Sequence, residues 1–263
     1  MPVLVQSLRV GWKGLLVWAL ALVAVMAMYL SFYPSLGGAA SGMADMIDQL
    51  PEGVVKAIGY DQIATGAGYT QSTFFGLLGF VLGTAAAVVW GTRAVAGDEE
   101  SGMLELTLAH PVSRAQLVAE RALAIFTRLS VLGVVLGLAL AAMSGPFELE
   151  LNGTHIVAVT TAWVLLTFSI AMASLMGGAV SGSRTVALGV GAGLGVLAFL
   201  LNALGAQSEQ NEWMLGLSPF AWAYRNRPLA EGWNFADLGL LVALATALLA
   251  VALLVFTRRD VRS

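Results

Sequence analysis

Side chains able to make or break bonds are scarce in this sequence. It has two histidines, His110 and His155, and no cysteine, so thiolate nucleophiles, disulfides and cysteine metal sites are excluded. Catalysis needs a nucleophile with its base, a carboxylate pair or a metal cluster, and both histidines fall at or outside the ends of the apolar stretches. No G-x-x-x-x-G-K-[ST] run is present, so no phosphate-binding loop is expected. The series Gly189, Gly191, Gly193, Gly195 misses the dinucleotide spacing at Leu194. The expectation is a chain with no catalytic residue, no cofactor and no metal of its own.

The densest charge lies between Arg93 and Arg114, where Asp98, Glu99, Glu100 and Glu105 fall together. Four carboxylates at a bilayer centre would cost on the order of 10 kcal/mol, so this segment is not a span. Its pattern predicts a short helix N-capped by Asp98, with Glu99 and Glu100 in the first turn and Pro111 stopping it within about three turns. Ser113 with Gln116 predicts a capping box that starts the next helix. Leu104 and Leu108 share one ridge of the short helix, and Met103 and Leu106 another. That apolar girth suits entry into a cleft in another protein, with the acidic start meeting basic residues at the rim. Spacing alone equally allows an amphipathic segment lying under a bilayer.

The elements that carry this segment are membrane spans. The 263 residues are 58% hydrophobic and 11% charged, with mean hydropathy +0.82; soluble domains carry roughly a quarter charged residues. Stretches of about 20 apolar residues predict six spans, at Gly14–Tyr33, Ser72–Trp90, Ala122–Met143, His155–Met176, Val186–Gly205 and Leu238–Phe256. The first is read as a retained span, since its apolar core is longer than that of a secretory signal. Together they predict an all-α membrane protein forming a single six-helix domain over residues 1–263. A net charge of −3 argues against a nucleic-acid partner.

Six spans put Arg9, Lys13, Arg93, Arg114, Arg121, Arg128, Arg184, Arg258, Arg259 and Arg262 on one side, against Lys56, Arg225 and Arg227 on the other. The positive-inside rule then makes both termini cytoplasmic. The proposed span interiors hold no Asp, Glu, Lys or His, and Arg128 lies close enough to an end to snorkel. That argues against an ion-driven pump, so energy must come from elsewhere. Met43, Ile47, Leu50, Val54 and Ile58 mark an apolar face in the first external loop, either resting on the membrane interface or capping the span ends. The aromatic residues between Gln207 and Asp237 read as an interfacial belt or a gate. Gly79 and Gly83, Gly133 and Gly137, Gly189 and Gly193, and Gly191 and Gly195 are each four apart, predicting close helix packing within the chain or with a second subunit.

The run Asp98-Glu99-Glu100-Ser101-Gly102-Met103-Leu104-Glu105, followed by Ala109-His110-Pro111-Val112-Ser113-Arg114, resembles the signature of the type-2 ABC exporter permeases. Met103 stands where that family more often has Thr. Two spans before the run, four after it, Leu217-Ser218-Pro219-Phe220 and the Arg258-Arg259-Asp260 ending fit the same resemblance. It implies the permease subunit of an ATP-driven exporter in the plasma membrane. It further implies a coupling helix seated on an ATP-binding cassette subunit, with Asp98, Glu99, Glu100, Gly102, Met103, Leu104, Glu105, Leu108, Pro111 and Arg114 at that interface. Two ATP-binding subunits carrying ATP and Mg, a second copy of this chain or a related permease, and re-entrant helices between spans five and six are also implied. The competing reading is a non-transporting membrane scaffold or assembly factor.

Overall fold

A computed structural model describes residues 2–37, 65–100, 102 and 113–259. All regular structure among them is helical. Among the described residues six helices are long and apolar enough to cross a membrane: α1 Pro2–Leu30, α2 Gly66–Glu100, α3 Arg114–Ser144, α4 Gly153–Ser181, α5 Arg184–Gly205 and α6 Phe235–Arg258. The first apolar stretch runs on past α1 to Ser35. The external segment with the Met43 to Ile58 face lies outside the described residues.

Local chemistry sets the ends of these helices. Ser113, Asn152 and Asn234 each stand at an N-cap in extended conformation, and each accepts a backbone N–H of the first turn. Gly182 closes α4 at φ +71, a conformation that disfavours residues with a Cβ, and its N–H returns to the Gly178 carbonyl at 2.8 Å. The capping box at Ser113 forms by half. Ser113 Oγ accepts from Gln116 N at 3.1 Å, but the Gln116 amide turns along α3 and donates to Glu120 at 2.7 Å. Glu120 in turn accepts from the Leu4 N–H at 2.9 Å, so a residue of α3 satisfies an orphan donor at the start of α1.

The helix α4 is the core. In its apolar window 78% is buried, against 17% for both the first and the last span, and a helix apolar all round belongs inside. It packs on α2, α3, α5 and α6. Its Trp163 is fully buried and donates its indole N–H to the Gly79 carbonyl at 2.8 Å. A Cβ at Gly83 would stand 2.6 Å from that ring, one at Gly133 2.4 Å from Val164, and one at Gly191 1.8 Å from Ser174 Oγ. Backbone contact at these glycines is what lets α2, α3 and α5 close on α4. Gly195 is held as tightly against Thr84, whereas Gly137 makes ordinary contact with Thr160. Gly189 and Gly193 face open space within the chain.

Two stretches of α2 are π-helical, Gln71–Leu78 and Arg93–Gly97. Between α5 and α6 the chain makes a 3₁₀ turn, Glu209–Leu217, and two short helices, Pro219–Tyr224 and Pro228–Glu231. Ser218 is buried; its Oγ caps Ala221 N at 3.0 Å and donates to the Ala198 carbonyl of α5 at 2.6 Å. Phe220 then sits edge-on to Phe80, Phe199 and Tyr224, with centroids 5.0 to 5.4 Å apart. The aromatic residues of this stretch therefore divide. Phe220 and Tyr224 are internal, while Trp213, Trp233 and Phe235 are exposed.

Candidate functional site

The acidic run begins inside α2. Asp98 continues the helix at φ −81, ψ −29, so it does not N-cap a new helix as the sequence pattern predicts; Asp98, Glu99 and Glu100 form the last turn of α2. Gly102 follows at φ +71, and its N–H returns to the Glu99 carbonyl at 3.1 Å. Glycine relieves the strain of that left-handed turn. Met103, Leu104, Glu105, Leu108 and Pro111 lie outside the described residues.

Three carboxylates at a helix C-terminus oppose the macrodipole, which places partial negative charge there. Arginines from three other helices compensate. Asp98 pairs with Arg121 of α3 at 2.5 Å. Glu99 pairs with Arg259, the residue that ends α6. Glu100 pairs with Arg184 of α5 at 3.3 Å and also accepts the Arg184 backbone N–H at 2.8 Å. Glu100 thus caps α5 from another helix, at an end where Ser183 makes no side-chain cap.

The π-helical turn before the acids contributes further acceptors. Its displaced register leaves carbonyls open, and Arg121 donates to the Ala94 carbonyl while Arg184 donates to that of Gly97 at 2.6 Å. Arg114 donates to the Arg259 carbonyl, tying the start of α3 to the end of α6. The pairs differ in burial. The Glu99 side chain is 8% exposed and its Arg259 partner 20%, while Glu100 and Arg184 are 43% and 48% exposed. A Cβ at Gly182 would lie 2.8 Å from both Glu99 Oε1 and Arg259 Nη1, so the turn that ends α4 closes over that pair.

The sequence reading assigned Asp98, Glu99, Glu100, Gly102 and Arg114 to one interface, and the fold brings them to one end of the bundle. It also gives the acids partners inside the chain. Of the arginines that hold them, Arg121 and Arg184 enter the sequence analysis only as orientation signals, and Arg259 also as part of the Arg258-Arg259-Asp260 ending. Tandem acids at a helix end, with arginines at the starts of α3 and α5 and the end of α6, were the signal that could have found this clamp.

The opposite end has a second polar cluster. Asp237 is 2% exposed; it accepts from Arg225 Nε at 2.9 Å, from Arg225 Nη2, and from Asn234 Nδ2 at 2.9 Å. The hydrogen bond to the neighbouring Asp237 carboxylate holds the Arg225 guanidinium above its usual basicity. Gln71, the first residue of the π-helical stretch, donates to the Tyr224 carbonyl at 3.3 Å and accepts the Leu229 N–H at 3.1 Å. The short helices are thereby tied to α2. Burial pushes the Tyr224 phenol far above its ordinary range, so it stays protonated.

These features define a multi-pass helical membrane protein with a braced polar face at the end of its second span. The model of the ABC-2 family transporter proteins matches residues 1–261. The chain belongs to that family, whose permeases are membrane transport components that associate with ATP-binding cassette subunits and are not themselves ATPases. No curated protein matches the chain.

Proposed function

We propose that the chain is the permease subunit of an ATP-driven exporter in the plasma membrane, with both termini cytoplasmic. In this reading residues 103–112 form the coupling helix, and a separate subunit binds ATP and Mg and supplies the force. The observation that carries it is the clamp at the end of α2. Asp98, Glu99 and Glu100 join the entry of that segment to α3, α5 and α6 at once. A push on residues 103–112 then reaches four spans through short charged links, as a transmission element requires. A scaffold has no need of such a junction.

A second copy of this chain or a related permease would complete the path, giving a complex with two ATP-binding subunits. Gly189 and Gly193 of α5 support pairing, since they find no neighbour among the described residues and lie on a ridge with the exposed Val196 and Leu200. The helices 219–224 and 228–231 fit the re-entrant element expected between the last two spans.

The test is ATP turnover by the reconstituted complex. Leu104→Ala with Leu108→Ala should lower recovery of the ATP-binding subunit and partner-stimulated turnover while membrane insertion is kept. Normal assembly and turnover in that variant would refute the coupling assignment and favour the scaffold.

A further inference from the structure

A cavity of about 270 Å³ with charged and apolar walls lies at the arginine-rich end, between α1, α2 and α3. Arg93, Arg121, Arg128 and Asp98 are the charged residues of its wall, with Gln6 and Ser7 from α1. Three guanidiniums against one carboxylate leave an excess of positive charge.

Arg121 is committed to Asp98 and the Ala94 carbonyl. Arg128 donates through Nη2 to the Ser7 carbonyl and lies 5.7 Å from the centre of the Trp90 ring, while its buried Nε has no hydrogen-bond partner. Gly11 makes room for it, because a Cβ there would meet the guanidinium at 2.2 Å. Arg93 makes no hydrogen bond or ion pair with a described residue. Two guanidiniums without a carboxylate among the described residues thus share one cavity, and an anion bound there would relieve their repulsion. Phosphate oxygens match the planar guanidinium fork.

We propose that this cavity binds a phosphate group, supplied from the bilayer as the headgroup of an anionic phospholipid. The rim favours the lipid source. Val3 and Val10 border the cavity, Val10 is 78% exposed, and Val17 and Leu20 continue an exposed apolar face along α1. That face can receive acyl chains while the headgroup enters the cavity. Basic pockets between spans at the level of the headgroups are suited to this use.

The experiment measures lipid retained by the purified full-length chain, using native mass spectrometry after incubation with phosphatidylglycerol or phosphatidylcholine. Wild type should retain phosphatidylglycerol in preference. Arg93→Gln and Arg128→Gln should each weaken retention about fivefold, a guanidinium near a membrane surface being worth about 1 kcal/mol toward anionic lipid. Arg9→Gln, an exposed cation outside the cavity, should leave retention unchanged. Arg128→Gln also removes the Ser7 and Trp90 contacts, so Arg93→Gln is the decisive variant if the former folds poorly. Displacement of the lipid by millimolar inorganic phosphate from wild type, with the same dependence on Arg93, would support the phosphate site and identify a soluble source. Equal retention of the two lipids, full retention by Arg93→Gln, or the same loss from Arg9→Gln would overturn the proposal.

Discussion

Replacing Glu99 by Ala should destabilise the chain far more than replacing its neighbour Glu100, although the two carboxylates are adjacent in sequence. Removing one partner of a buried ion pair costs about 3–5 kcal/mol because the other charge is left stranded. Glu99 is 8% exposed, but Arg259 is 20% exposed and can turn partly toward water, so the loss should fall near the low end, about 3 kcal/mol. Glu100 and Arg184 are nearly half exposed, and such a pair contributes about 0–1 kcal/mol. Losing the cap on the Arg184 N–H adds about 0.5–1 kcal/mol. Thermal unfolding in mild detergent reads the difference. At about 2–4 °C per kcal/mol for a chain of this size, Glu99→Ala should lower the midpoint by about 6–12 °C, and Glu100→Ala, at about 0.5–2 kcal/mol, by about 1–8 °C, at most two-thirds of the Glu99→Ala shift. A double-mutant cycle with Arg259→Ala should show strong coupling at Glu99 and none at Glu100. Equal shifts for the two single variants, or additivity of Glu99→Ala with Arg259→Ala, would refute the internal clamp.

Gly83→Ala should destabilise by about 1–3 kcal/mol through overpacking against Trp163, whereas Gly189→Ala should leave the isolated chain unchanged; denaturation in detergent compares them. If α5 pairs between copies, Gly189→Leu with Gly193→Leu should lower the mass of the intact complex without changing the stability of the single chain. Reporter fusions at Ser263 and within residues 45–61 should report opposite sides of the membrane, and the same side for both would sink the topology. The purified chain without a partner should hydrolyse no ATP, as measured by phosphate release. For the Leu104→Ala, Leu108→Ala pair, loss of affinity for the ATP-binding subunit should approach about 1.5–3 kcal/mol per side chain if each is fully buried.

Much of the architecture was written in the sequence because lipid imposes a simple rule. A span must be apolar over about 20 residues, so hydropathy located the six helices and helix alternation put their arginine-rich ends on one side. Cross-helix bonds from Asp98 to Arg121, Glu99 to Arg259, Glu100 to Arg184 and Glu120 to the Leu4 N–H bring those ends together. Residue type and spacing also marked the cap at Ser113, since a hydroxyl before a helix start acts locally. The acidic run was legible as a special segment, but its helical phase was misread. Asp98 has the composition of an N-cap, yet it ends a helix, because arginines distant in sequence neutralise charges that the macrodipole would otherwise disfavour.

Tertiary structure alone decided which residues meet. Gly79 and Gly83 have the same spacing as Gly189 and Gly193, but Gly83 receives the Trp163 ring of α4 and the Gly79 carbonyl its indole N–H, while Gly189 and Gly193 meet no described residue. Spacing defines a face on a helix and carries no information about what approaches it. The π-helical register of Arg93–Gly97 is likewise invisible in composition. Arg121 and Arg184 arrive from other helices to take up the carbonyls of Ala94 and Gly97 within it. Arg128 could be read as snorkelling toward water, whereas the fold turns it onto Ser7 and Trp90 in the cavity that Arg93 also lines. Residue type and helical period identified the membrane protein; the clamp and the arginine cavity depend on contacts between helices far apart in the chain, which no local pattern encodes.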